Sequence, residues 1–130
     1  MTAQELRMLA FALLAAESRK RQQPYGELRF LLLAGSAACR AGWADVPRRC
    51  RERVLEISPH HRLANYDSLE DALRDEEFRT FLSRLDRFCS FEMAEALLEK
   101  LHPGWQSIDF AAVGDLGSYC LNLLKNRSEV

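Results

Sequence analysis

The chain has 130 residues, 48% of them apolar and 28% charged, with a formal net charge of −1. This is the make-up of one globular domain over 1–130 with room for a core; it excludes wholesale disorder and any general electrostatic pull toward nucleic acid or anionic membrane. The charge is nevertheless divided, because residues 1–63 carry 11 Lys/Arg against 6 Asp/Glu and residues 64–130 carry 7 against 13. Such a division allows internal neutralisation, head-to-tail pairing with a second copy, or one basic face offered to a partner.

The first helix is expected over Thr2–Arg21, with a stripe of Leu6, Leu9, Leu13 and Ala16 widened by Phe11, Leu14 and Ala15. Its basic end, Arg19 to Arg21, suits the negative pole of a helix. Met8 to Ala16 is apolar enough to raise the question of a secretory leader. The acidic Glu5 ahead of it and the bulky Leu14 near its end argue against one, and the expected location is cytoplasmic.

Gln22 to Gly26 reads as a turn around Pro24. The second helix, Gly26–Ala41, contains ten consecutive uncharged residues, Phe30 to Cys39, between Arg29 and Arg40. Apolar on all sides, that stretch belongs in the middle of the fold with other helices against it. A run of ten rises only ~15 Å, too short to span a bilayer. Its small residues, Ala34 to Ala38, permit close approach of a neighbour, and Gly35 accepts a propensity cost of about 1 kcal/mol.

A third helix is expected over Val46–Ile57, with Asp45 as N-cap, Pro47 in the first turn, and Val46, Cys50, Val54 and Ile57 facing inward. His60 to Tyr66 reads as loop. Asp67 and Ser68 open capping boxes for a short helix Leu69–Arg74. The next helix has Phe78, Phe81, Leu82, Leu85 and Phe88/Cys89 on one face. Ser90 caps another, Phe91–Leu101, with Phe91, Ala94, Leu97, Leu98 and Leu101 inside. A last helix carries Leu116, Tyr119, Cys120, Leu123 and Leu124; Gly114 and Gly117 mark a kink or a break at its start, and residues after Asn126 should fray. No segment alternates long enough for a strand, so the fold class is all-α: a compact antiparallel bundle of six to seven helices.

The hairpin Leu31 to Pro59 resembles a single tetratricopeptide-type unit through Gly35, the turn at Gly42 and the closing Val54-Leu55-Glu56-Ile57-Ser58-Pro59. It departs from that family where Leu31, Ala34 and Ala38 stand for Trp, Leu and Tyr, and where Pro47 and Arg51 stand for Ala and Phe. A partial echo, Ala96 to Pro103, follows 44 residues on, against a family period of about 34. The resemblance implies helical hairpins and a protein-binding role.

Arg supplies 15 of the 18 basic residues, which favours planar recognition of carboxylate or phosphate. The candidate binding surface is the outer face of the third helix with the loop after it: Arg48, Arg51, Arg53, His60, His61 and Arg62. Glu52 and Glu56 compensate part of that charge locally. His60 and His61 are expected to bond the carbonyls left open after Ile57. The four cysteines, Cys39, Cys50, Cys89 and Cys120, form no CxxC and read as buried free thiols. No metal-ligand spacing, phosphate loop or nucleophile–base arrangement occurs, so no cofactor, metal or catalytic residue is assigned.

The functional expectation is a protein-interaction adaptor or scaffold without catalytic activity, in the cytoplasm rather than a membrane, whose partner is another protein or an acidic peptide. A homodimer is a further expectation, because the first helix offers more apolar surface than one neighbour can cover. The alternative is a helical nucleic-acid-binding or regulatory protein using the Arg48–Arg62 surface, a reading that lacks helix-turn-helix spacing and an aromatic stacking platform.

Overall fold

Helix α1, Ala3–Lys20, opens on a reciprocal cap. The Thr2 hydroxyl accepts from the Glu5 amide at 3.1 Å, and the Glu5 carboxylate accepts from the Thr2 amide at 2.9 Å. Two of the four amides that a helix start leaves open are thereby satisfied. Helix α2, Pro24–Arg40, begins two residues earlier than the turn reading placed it. Pro24 serves as the first helical residue, where its missing N–H has no intrahelical partner to lose. After α2 the chain turns at Gly42, whose φ of +87° lies in the left-handed region that glycine adopts without steric cost.

The computed structural model describes residues 1–125, and among them are seven α-helices, two short 3-10 helices and no strand. The uncharged stretch is central, as its composition requires: Leu31 to Ala38 are all buried. It shares that place with α1, in which Met8 to Ala15 are equally buried. The centre is thus the α1–α2 pair, with α6 and α7 packed on α1 and with α3, α4 and α5 packed on α2. This corrects the expectation of spare apolar surface on α1. Its own fold covers the whole apolar stretch, and the argument for a second copy loses its basis.

Gly35 is the point of closest approach on α2. A Cβ there would lie 2.5 Å from Leu69 Cδ2 and 3.1 Å from Cys50 Cβ, so the missing side chain is the space that α3 and α4 occupy. Helix α3, Asp45–Ile57, buries Val46, Pro47, Cys50 and Val54. Asp45 does not cap it; it lies inside the first turn and pairs with Arg48 at 3.5 Å. The segment read as loop contains a 3-10 helix, Arg62–Asn65, which seats Leu63 in the core. Helix α4, Leu69–Ala72, is capped by Ser68 and is two residues shorter than expected.

Helix α5, Glu76–Phe88, is capped by Asp75, and its apolar stripe is graded: Phe78 and Leu82 are buried, while Phe88 is 63% exposed. Helix α6, Phe91–Leu101, is capped by Ser90 and buries Ala94 and Leu98. Leu97, expected inside, is 41% exposed, because the contact with α1 is narrower than the apolar arc. Trp105 follows in a 3-10 helix, Trp105–Ser107, and is buried. Gly114, at φ +105°, makes a break before Asp115 caps α7, Leu116–Leu123. Gly117 lies within α7 directly beneath the Trp43 indole. At the far end, Arg49 Nε donates to the Leu124 carbonyl and Arg19 Nη1 to the Lys125 carbonyl, both at 2.8 Å. Those are the open acceptors of a helix C-terminus, where cations are favoured. The fraying expected after Asn126 falls outside the described residues.

Candidate functional site

The six residues proposed from sequence do not form one surface. Arg53 turns inward: its Nε and Nη2 donate to the Glu27 carboxylate at 2.7 and 3.1 Å, and its Nη1 to Glu56 at 3.1 Å. The hydrogen bond to Glu27 is the first cause holding the Arg53 guanidinium above its ordinary pKa. Arg51 spends Nη2 on the Tyr66 carbonyl at 2.7 Å, tying α3 to the segment before α4. Arg48 stays exposed beside Asp45, and Glu52 pairs with Arg49 at 3.3 Å.

His60 is exposed. His61 bonds an amide rather than the carbonyls after Ile57: Nδ1 accepts from Leu63 N–H at 3.0 Å. Burial lowers its pKa, with Arg62 adding to the shift. Arg62 lies over the Phe81 ring at 4.2 Å, and the His61 ring is 5.8 Å from it.

Three surface concavities stand out among the described residues. One, of about 350 Å³, lies between α3 and α4 and places Arg48 and Arg51 among Glu52, Asp67 and Glu70. A second, of about 400 Å³, runs along α5, with Arg62 and Arg84 facing Glu76 and Glu77. The third, of about 290 Å³, is enclosed by α1, α2 and α5. Its apolar wall is Phe11, Leu33, Ala37 and Leu82; its rim carries Arg7, Arg40 and Arg87 against the single acid Asp86. Acids equal or outnumber arginines in the first two, whereas the third has a clear excess of positive charge. Arg7 is partly engaged, 3.8 Å from Asp86 and over the Phe91 ring at 5.2 Å. Arg40 and Arg87 have no carboxylate within ion-pair distance among the described residues.

Sequence reasoning missed this cavity. Its polar groups come from three helices far apart in the chain, and none makes a local cluster. The available signal was spacing by four: Arg7 and Phe11, Ser36 and Arg40, and Ser83 and Arg87 each lie one turn apart. Which turns would meet is a tertiary matter.

The groups that could be written down for chemistry are placed elsewhere. Cys50 is 1% exposed, and burial holds its thiol neutral by raising its pKa. Cys39 Sγ donates to Glu70 at 3.2 Å, and burial, followed by that bond, pushes its pKa up to about 12. A thiol so held is a poor nucleophile. Among the described residues, no group of three His, Cys, Asp or Glu is arranged to hold a metal ion, and no helix is long and apolar enough to cross a membrane.

No protein-family model, curated protein or solved structure matches this chain.

Proposed function

We propose that this domain is a non-catalytic protein-interaction module that receives an acidic partner at the α1–α2–α5 cavity. The observation that carries the reading is the charge balance of the three concavities: among them, this one joins an apolar wall to a cationic rim of three arginines against a single carboxylate. Arginine is suited to the task, because its planar fork matches a carboxylate and holds its charge at all accessible pH. The helices that form the rim are fixed by the buried α1–α2 pair, so the cations are presented on a rigid frame.

The reading relocates the contact from Arg48, Arg51 and Arg53, whose guanidinium groups already serve the fold or a local carboxylate. The test is binding of a fluorescent, C-terminally amidated peptide rich in aspartate and glutamate, followed by anisotropy. Reversing the rim with Arg40→Glu and Arg87→Glu should weaken binding by about tenfold or more, and Arg48→Glu should leave it near the starting value. Equal affinity in the rim variant, or tighter binding of a single-stranded oligonucleotide with a steep salt dependence, would sink the reading.

A further inference from the structure

The cavity is small. At about 290 Å³ it sits at the lower edge of ligand sites, enough for one residue and not for a helix face. To fill the apolar wall and the rim at once, an occupant must bring an apolar group and an anion together within a single residue. Aspartate and glutamate engage the rim but do not do both, since their carboxylate occupies the side chain and any apolar group belongs to the next residue, about 3.8 Å away along the chain. A chain terminus does. There the carboxylate, an aliphatic side chain and an amide N–H all radiate from one Cα.

The third group has a counterpart as well. Gln4 lines the cavity, and its side-chain oxygen is buried without a hydrogen-bond donor among the described residues. The terminal amide torsion is broad, so that oxygen can reorient to meet a donor in the cavity. It would then accept from a peptide N–H, a donor that a fatty acid or inorganic phosphate lacks.

We infer that the cavity is a receptor for the free C-terminal carboxylate of a partner protein ending in a medium-sized aliphatic residue. Arg40 and Arg87 take the carboxylate, Phe11 and Leu82 take the side chain, and Gln4 takes the terminal amide. The inference rests on the cavity being the acidic-partner contact proposed above.

The test compares three N-acetylated glycine–serine peptides on the full chain: one ending in leucine with a free carboxylate, the same sequence amidated, and one ending in glycine with a free carboxylate. The free-acid leucine peptide should bind at least about tenfold more tightly than either control, a difference of about 1.4 kcal/mol. Arg40→Gln combined with Arg87→Gln should abolish that preference, and Gln4→Leu should reduce it. A thermal melt confirms that each variant is folded. Equal binding of acid and amide, while the acidic amidated peptide above still binds, would overturn the terminal-carboxylate inference and leave the broader reading intact. Failure of every peptide to bind, the acidic one included, would overturn both.

Discussion

Arg53 of α3 reaches Glu27 of α2 through two hydrogen bonds, at 2.7 and 3.1 Å, and the Glu27 side chain is only 4% exposed. The pair ties the start of α2 to the middle of α3 inside a charged seam that also holds Arg49 and Glu56. Removing Arg53 takes this partner from the buried Glu27 carboxylate, whereas removing Glu27 leaves Arg53 its bond to Glu56. Arg53→Met should therefore destabilise the domain by about 3–5 kcal/mol and Glu27→Met by less, while the two combined should cost less than Arg53→Met alone. Urea unfolding at neutral pH measures all three. Additive losses in the double variant would show that the pair is not a coupled unit.

Gly117→Ala tests the close approach of α7 to the Trp43 indole. Alanine favours the helix by about 1 kcal/mol, yet its Cβ would fall on the rigid six-membered ring, 2.7 Å from Cε3 and 3.2 Å from Cη2. The clash should win, for a net loss of about 1–3 kcal/mol. The Trp43 Nε1 bond to Glu5, 3.3 Å long, should be disturbed with it. A lower melting temperature with changed tryptophan emission is the expected result. A gain in stability would mean that the indole has room to move.

Acid should destabilise the domain in a defined window. The Arg21 hydrogen bond holds the Glu17 carboxyl below its ordinary pKa of 4.5. Tyr66 O–H, at 2.6 Å, does the same for Asp75, and the Ser118 amide for Asp115, each below 3.8. In all three the unfolded chain takes up protons before the folded one. Their contribution is thus complete above the ordinary carboxylate pKa and disappears as pH falls through the lowered folded values. Stability measured from pH 7 to pH 3 should be level at first and then drop below about pH 4.5. Asp75→Asn should flatten part of that drop.

The thiols supply a separate readout of packing. Burial pushes Cys120 up to about 12 and raises Cys50 further still, while Cys89 is raised by burial and then by Asp86. Since the thiolate is the reactive form, a disulfide reagent at pH 8 should label the native protein slowly at all four cysteines and the urea-unfolded protein fast. Rapid native labelling of Cys50 or Cys120 would contradict the burial of the α2–α3–α7 core.

The elements of this fold were legible from local chemistry. Ser68 and Ser90 each stand ahead of a helix as a cap, and each helix they open is α-helical in the structure, whereas the capping roles of Asp75 and Asp115 emerge only there. Periodicity likewise identified Val46, Cys50 and Val54 as the buried side of α3. Errors fell where two local rules competed. Pro24 can end one helix or begin another, and Asp45 can cap a helix or lie in its first turn; propensity alone does not choose. Leu97 is as apolar as Leu98 and lies one residue away, yet only the width of the α1 contact separates the exposed residue from the buried one.

What the sequence determined by itself is the all-helical class, the succession of helical segments and the central place of Phe30 to Cys39, because caps and apolar spacing act within a few residues. Only the tertiary structure decided which arginines are spent and which remain available. A guanidinium finds its carboxylate across the fold, as Arg53 finds Glu27, or finds none among the described residues, as at Arg40 and Arg87. That outcome depends on which helices lie side by side, and the order of residues along one helix carries no record of it.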